Sequence, residues 1–181
     1  MKKLKLLTFL LLLSSISFSQ GKKKLIKEGN KLYNDSSYNL AEMKYRKSLE
    51  KDQGYFNASF NLADAVYKQE RYEESTSFFE SLKDNARNDQ ELANINHNLG
   101  NSLLKENKIN LAIEAYKTSL RINPNDEDTR YNLAYAQKMK QQQDQKEQQQ
   151  DQKEQQQDQK EQQQDQKEQQ QDQKEQQQDQ K

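Results

Sequence analysis

The sequence predicts an all-α fold, built as a short stack of similar helix pairs. Only four glycines and one proline occur in 181 residues, so the two residues that most often interrupt helices are scarce. Small residues return along the chain at nearly constant spacing, and the intervals within each repeat match a helical period of 3.6 residues. Helix pairs repeated in this way form a solenoid, in which each repeat packs against its neighbours.

The first element, residues 1–19, is predicted to be a secretory signal peptide. Three lysines precede an apolar run over residues 6–13, and the small residues Ser17 and Ser19 mark a cleavage site before Gln20. This run is shorter than the roughly 20 apolar residues that a membrane span needs. The alternative is a retained N-terminal anchor. The segment therefore predicts an exported protein, periplasmic in a Gram-negative bacterium, or associated with the inner membrane if the signal is not removed.

The absence of cysteine bears on the compartment as well. It excludes disulfides, thiolate nucleophiles and thiolate metal ligands. It also removes the acylated cysteine that a bacterial lipoprotein carries at its mature N-terminus. An oxidising compartment, where an unpaired thiol is a liability, is consistent with this composition.

The repeats follow the signal and share two short patterns. A small residue recurs in steps of 34, 37 and 34 residues, three times within an Asn-Leu-small triplet: Gly29, Ala63, Gly100 and Ala134. After twelve, four and three further residues come a second small residue, an aromatic residue and a third position: Ala41, Tyr45 and Ser48; Ser75, Phe79 and Leu82; Ala112, Tyr116 and Ser119. Small residues let two antiparallel helices approach, and the aromatic ring one turn later fills the space beside them.

These intervals resemble the tetratricopeptide repeat (TPR), a helix-turn-helix unit of about 34 residues. The resemblance implies a TPR domain over residues 20–140, a solenoid of about 3.5 repeats. The repeats are expected at 22–55, 56–89 and 93–126, with a capping helix over 127–140. Repeat two departs from the pattern, because Leu82 replaces a small residue and three extra residues, Gln90 to Leu92, precede repeat three.

The C-terminal tail, residues 141–181, is five copies of Gln-Gln-Gln-Asp-Gln-Lys-Glu and a sixth without its Glu. No position of this heptad is apolar, so a coiled-coil seam has nothing to bury. Asp144–Glu147 and Glu147–Asp151 place like charges three and four residues apart, and no opposite pair has that spacing within the tail. We expect a solvated tail that is disordered or marginally helical, with the last repeat helix continuing some turns into it.

The inventory of catalytic groups is almost empty. His97 is the single histidine, and with no cysteine the usual nucleophile–base pairs cannot be assembled. The glycines are scattered, so no phosphate loop is predicted. Acidic clusters fit helix N-termini better than metal sites. The net charge of +2 over residues 20–140 (twenty basic against eighteen acidic) does not suggest nucleic-acid binding. We predict a non-enzyme without cofactor, metal or small-molecule substrate; an envelope hydrolase is the weakest alternative.

The TPR resemblance implies that the first helices line a concave groove that binds other proteins. Asparagine amides there can both donate and accept, and tyrosines supply contact area with a polar tip. The expected groove residues are Asn30, Tyr33, Asn34, Phe60, Asn61, Asp64, Tyr67, Lys68, His97, Asn98, Asn101, Lys105, Tyr131 and Tyr135. Two readings stay open for single residues: the asparagines can belong simply to the repeat pattern, and His97 can be a solvated side chain.

The groove lacks the full basic pattern of TPR domains that clamp a C-terminal carboxylate. Lys27, Lys68 and Lys105 are candidates, but they do not complete the pattern. Recognition of chaperone tails is therefore not favoured.

The layout as a whole is similar to the TPR component of Bacteroides-type aerotolerance (Bat) operons. The shared features are a short signal, three to four repeats and a Gln/Asp/Lys-rich tail. This resemblance implies a scaffold in an envelope complex linked to stress tolerance. Its partners would be membrane proteins with von Willebrand factor A domains, beside a MoxR-type ATPase. The alternative function is a structural or surface-associated protein that assembles through its Gln-rich tail.

Overall fold

The computed structural model describes the backbone of residues 21–178 and the side chains as far as residue 154. The predicted signal peptide and its cleavage site lie outside these residues. Helix α1 covers residues 21–34 of the described part. It is followed by α2 (Tyr38–Lys51), α3 (Phe56–Lys68), α4 (Tyr72–Leu82), a 3-10 turn (Lys83–Asn85), α5 (Asp89–Lys105), α6 (Ile109–Ile122) and α7 (Glu127–Gln178). Since no strand occurs over residues 21–178, the all-α prediction is confirmed.

The helices form pairs that stack in chain order. Contacts join α2 to α3, α3 to α4, α4 to α5 and α5 to α6, and α3 also contacts α5, the equivalent helix of the next repeat. The pairs α1/α2, α3/α4 and α5/α6 each contain one copy of the small-and-aromatic sequence pattern. Helix α7 takes the place of a first helix in a fourth repeat. Over the described residues, no second helix follows it.

The turn within each pair has one repeated backbone conformation. Ser36, Glu70 and Asn107 have φ values of 57°, 63° and 60°, in the left-handed region. The amide of the next residue bonds to the carbonyl five residues earlier, as from Lys108 to Leu103 at 2.9 Å. This is the Schellman arrangement, which ends a helix by satisfying its last carbonyls. Each first helix therefore ends at the same repeat position.

Close approach within a pair explains the alternation of small and aromatic residues. A Cβ atom placed on Gly29 would lie 2.5 Å from the Tyr45 ring, and one on Gly100 would lie 2.5 Å from the Tyr116 ring. Both rings are fully or almost fully buried. A glycine is required at these two sites because the ring occupies the space that a methyl group needs.

Repeat two has different residues at the two positions where the paired helices approach closely. Ala63 and Phe79 are both fully buried. In the outer repeats the serine hydroxyls at the third position bond to a first-helix carbonyl, Ser48 to Lys22 at 3.1 Å and Ser119 to Ala93 at 2.9 Å. Leu82, the residue at this position in repeat two, is buried instead. The predicted departure is thus an exchange of one hydrogen bond for apolar burial.

The extra residues before repeat three lengthen its first helix. Helix α5 has 17 residues, against 13 in α3, and begins at Asp89. Asn88 caps it by accepting a hydrogen bond from the amide of Glu91 at 2.9 Å. The insertion is therefore absorbed as an additional helical turn.

The described residues divide into two compact units, with the boundary between Gln137 and Lys138. In the first, the start of α7 shows what the missing second helix changes: Ala134, at the small position of the repeat, is exposed, whereas Ala136 is fully buried. In the described residues no second helix packs against Ala134, so no close helix–helix contact requires a small residue there.

In the second unit the helical backbone continues to Gln178. Bonds between residues four apart support it, from Gln143 to Glu147 at 2.9 Å and from Gln150 to Glu154 at 3.1 Å. Lys140 and Asp144 also pair, at 3.3 Å. This pair of opposite charges was not predicted, because only charges within residues 141–181 were compared and Lys140 lies one residue before them. Among the helices described, none is both long enough and apolar enough to span a membrane.

Candidate functional site

A series of hydrogen bonds donated by asparagine side-chain amides, which we call the amide ladder, joins the first helices of successive repeats. The asparagine of each Asn-Leu-small triplet donates to the residue that follows the small residue of the preceding repeat. The bonds run from Asn61 to Asn30 at 2.8 Å, from Asn98 to Asp64 at 3.1 Å and from Asn132 to Asn101 at 2.9 Å. The ladder fixes how neighbouring first helices sit beside one another.

Tyrosine hydroxyls complete the ladder in the outer repeats but not in the middle one. Tyr45 donates to Asn30 at 2.9 Å, and Tyr116 donates to Asn101 at 2.8 Å. Phe79 holds this position in repeat two and has no hydroxyl. Its ring meets Phe60 edge to face, with centroids 5.6 Å apart. Asp64 consequently accepts one hydrogen bond where its two equivalents accept two.

A cavity of about 210 Å³ lies beside this incomplete position, between repeats one and two. It is lined by three amides, two phenols and one carboxyl group: Asn30, Asn34, Asn61, Tyr33, Tyr45 and Asp64. No lysine or arginine is among the lining residues. Since amides and phenols donate and accept, the cavity can bind polar groups of either kind. Asp64 supplies the carboxyl group of this lining.

Burial raises the pKa of the Asp64 carboxyl to about 7, against the opposing influence of Lys68. The same effect, with a smaller contribution from the charge of Asp64, raises the pKa of Tyr45 to about 12. Burial also raises the pKa of Tyr33 and of Tyr67. At neutral pH the phenols are therefore uncharged, and Asp64 titrates close to neutrality.

The predicted groove residues fall into several groups. Five of them line the cavity: Asn30, Tyr33, Asn34, Asn61 and Asp64. Asn98 and Asn101 belong to the amide ladder. Phe60 contacts Phe56 as well as Phe79, and Tyr67 meets Tyr72 edge to face at 5.4 Å. Lys68 and Lys105 are exposed to solvent, as are Tyr131 and Tyr135 with 73% and 51% of their surface accessible.

His97 belongs to α5, and its side chain contacts α7. Its Nδ1 atom is 2.6 Å from the hydroxyl of Thr129, and its ring lies edge to face with Tyr116. Thr129 donates to Asp126 at 2.7 Å, so its oxygen is available to accept from His97. Burial lowers the pKa of His97, although Asp126 and Asp128 act in the opposite direction. A neutral, half-buried histidine of this kind positions α7.

Sequence reasoning missed two contributors to the site. Tyr45 was assigned to packing alone, and Asn132 was recognised in the triplet but left out of the groove. A signal for Tyr45 was present in the sequence: Asn30 precedes Tyr45, and Asn101 precedes Tyr116, by fifteen residues each. Over the residues described, no group of three or more acidic or histidine side chains could hold a metal ion.

Comparison with known proteins identifies the fold. Residues 100–141 match the family model described as TPR repeat. No curated protein matches the sequence. Among solved structures, the first TPR of Spaghetti (RPAP3) bound to the HSP90 peptide SRMEEVD is similar with a TM-score of 0.62 and 20% identity. That match covers 67% of this chain and 94% of that one.

Two further structures show the same likeness. The TPR2AB domain of yeast Sti1, in a complex with pHSP90, has a TM-score of 0.62 and 22% identity, over 70% of this chain and 50% of that one. MamA from Desulfovibrio magneticus RS-1 has a TM-score of 0.61 and 20% identity, over 66% of each chain. The repeated helix pairs of this protein therefore have the fold of TPR domains.

Proposed function

We propose that this protein is an exported TPR scaffold that holds a segment of another protein against its first helices. The observation that carries this proposal is the cavity on those helices, where amides, phenols and a carboxyl group converge. A mixture of tyrosine area and amide hydrogen bonding is typical of protein interfaces. The catalytic groups that an enzyme would need are few in the sequence.

The comparisons support a role in binding protein segments. Two of the similar TPR structures hold HSP90 peptides or form a complex with pHSP90. The lining of the cavity here contains Asp64 and no basic side chain. An acidic peptide would bring like charge to that carboxyl group, so the partner segment proposed for this protein is not an acidic one.

The compartment and partners are proposed from the sequence. The signal-like residues 1–19 support export to the periplasm. The resemblance in layout to the aerotolerance-operon TPR component supports a scaffold in an envelope stress complex. On this proposal the partners are membrane proteins with von Willebrand factor A domains, and membrane association comes through them or through an uncleaved signal.

The test is co-purification of envelope proteins with three forms of the chain. The groove variant replaces Asn34, Lys68 and Lys105 with Ala; these exposed residues occupy one repeat position on successive first helices. The matched control replaces Lys47, Glu80 and Lys117, which are exposed on the second helices. Recovery of a partner with the wild type and the control, but not with the groove variant, is expected.

Two results would contradict the proposal. One is equal recovery with all three forms, which would remove the first helices from the binding surface. The other is recovery of the protein itself alone, lost when residues 141–181 are deleted. That second result would support assembly through the Gln-rich tail instead.

A further inference from the structure

Repeat two departs from its neighbours at Asp64, which lines the cavity, and at the two positions associated with it in the repeat pattern. In repeats one and three, a Gly-Asn pair stands opposite a tyrosine: Gly29-Asn30 with Tyr45, and Gly100-Asn101 with Tyr116. In repeat two, an Ala-Asp pair stands opposite Phe79. Repeat two therefore differs at all three positions. At the position of Asp64 a carboxyl group replaces the asparagine amide, and the tyrosine hydroxyl that would donate a hydrogen bond to it is absent because Phe79 replaces the tyrosine.

The result is a carboxyl group with unused accepting capacity. Asp64 accepts from Asn98 at 3.1 Å through one oxygen, and no other donor in the described part of the chain bonds to it. An ionised carboxylate offers about four accepting positions. The other oxygen of Asp64 is not sealed inside the described part of the chain, so a donor or a cation from outside the chain can reach it through the cavity.

The groups facing Asp64 do not supply that cation. Tyr33 from α1, Tyr45 from α2 and Tyr67 from α3 lie near enough to sense its charge, and all three are phenols. Asn98 reaches it from α5. Lys68, one turn along α3, lowers its pKa but makes no ion pair with it, and Lys68 is solvent-exposed.

The chemistry of the walls favours a primary ammonium group. Phenol rings attract cations over their faces, and the side-chain oxygens of Asn34 and Asn61 can accept from the remaining ammonium hydrogens. A guanidinium pairs best with both oxygens of a carboxylate at once. Asn98 already takes one accepting position of Asp64, and an ammonium group needs only one of those that remain, so a compact point charge suits the site.

We propose that the cavity between repeats one and two binds a lysine side chain of the partner segment, with Asp64 as the counter-ion of its ammonium group. This inference rests on the proposed function and specifies its ligand. The raised pKa of Asp64 agrees with it, since that value is what a carboxyl group shows when it is partly buried without a paired cation.

The test is an NMR titration of the ¹⁵N-labelled full chain with Nα-acetyl-lysine-N-methylamide. The norleucine derivative, which has a similar aliphatic stem without charge, is the matched probe. At pH 7.5 we expect the lysine probe to shift the amide signals of cavity residues and to bind at least tenfold more tightly than the norleucine probe. We expect Asp64→Asn to abolish this preference.

Asp64→Asn is expected to fold, because asparagine holds the same position in repeats one and three and accepts the same ladder bond. An amide spectrum that keeps its dispersion verifies this. The exposed Asp84→Asn is the charge-matched control and should keep the lysine preference. Affinity for the lysine probe should also rise between pH 6 and pH 8 as Asp64 ionises, and Asp64→Asn should remove that rise.

The inference is overturned if both probes bind equally, if the shifts lie outside the cavity, or if Asp64→Asn retains the preference. These results are separable from failure of the proposed function. Capture of a groove-dependent partner without lysine binding would refute the cation site alone. Lysine binding at Asp64 without any captured partner would support the site and refute the scaffold.

Discussion

Gly100 and Tyr116 show, at the scale of single residues, how one absent methyl group controls the contact between two helices. The Tyr116 ring is fully buried and its hydroxyl is held by Asn101. Because the ring is fixed at both its face and its tip, it cannot move aside for a Cβ atom that would lie 2.5 Å away. Overpacking of this kind costs about 1–3 kcal/mol.

We therefore expect Gly100→Ala to lower the free energy of unfolding by up to about 2 kcal/mol, after the gain of about 1 kcal/mol in helix propensity. Urea denaturation measures this change. Gly54→Ala is the control, since only Asp52 Oδ1 lies near its added Cβ, at 3.7 Å, and its φ is not positive. Equal stability of the two variants would show that the Tyr116 ring can move.

Asp64 makes a second residue-scale prediction, on the pH dependence of stability. Its pKa is about 7 in the folded chain and about 3.9 when unfolded. The folded state thus binds the proton more tightly than the unfolded state. The stabilisation of the fold by this bound proton is complete below pH 4 and is lost as pH rises through 7. We expect Asp64→Asn to be as stable as the wild type at pH 4 and more stable by about 1–3 kcal/mol at pH 8.

Urea midpoints at the two pH values measure that difference. The exposed Asp84→Asn should change the free energy of unfolding by less than about 0.5 kcal/mol at either pH. A constant difference between wild type and Asp64→Asn across this range would mean that Asp64 does not titrate near neutrality.

At the scale of elements, the turns between paired helices share one geometry with three different residues. The left-handed position is Ser36, Glu70 or Asn107. Asparagine visits this region more readily than most residues, and glycine does so without a steric cost. Glu70 is the least suited of the three, and no hydrogen bond or ion pair of its side chain compensates within the described residues.

We expect Glu70→Gly to raise the free energy of unfolding by about 0.5–1 kcal/mol. Asn107→Gly, in the equivalent turn, should gain less because asparagine already tolerates this backbone. Thermal unfolding of the two variants gives the comparison. A loss of stability in Glu70→Gly would indicate that the glutamate side chain has a role that outweighs its backbone strain.

At the scale of the whole molecule, the repeats and the tail depend on different interactions. The repeats bury apolar and aromatic side chains between helices, as at Ile95, Leu99 and Phe79. The tail from residue 141 contains only Gln, Asp, Lys and Glu, so it can bury no hydrophobic side chain. Contacts four residues apart each contribute only a few tenths of a kcal/mol to its helix.

Deletion of residues 141–181 is therefore expected to leave the unfolding midpoint of the repeats within about 2 °C of the full chain, because apolar burial dominates stability. Calorimetry measures the midpoint. Circular dichroism of the tail as a peptide should show helicity that decreases on heating without a cooperative transition. A large fall in the midpoint would show that the tail stabilises the repeats.

The helical repeat fold was predicted from the spacing of residues and from the TPR resemblance, whereas the cavity was not predicted. Small and aromatic residues at fixed intervals predicted the pairs α1/α2 to α5/α6, and five cavity residues lay on the expected first helices. The hydroxyl role of Tyr45 was not predicted, since an aromatic residue at a packing position also satisfies the pattern. The opposite pair Lys140–Asp144 was missed because it crosses the boundary between two kinds of sequence.

By itself the sequence determined that this protein is helical and repetitive, because periodicity and the scarcity of glycine and proline are local properties. It also determined that thiol chemistry is absent and that one histidine is available. Only the tertiary structure decided which polar groups meet. Whether Asp64 is paired depends on Asn98, a neighbour more than 30 residues away, and Ala134 is exposed in the described residues although it holds the small position of the repeat. Burial and hydrogen-bond partners belong to the packed repeats as a whole, and a local pattern does not specify them.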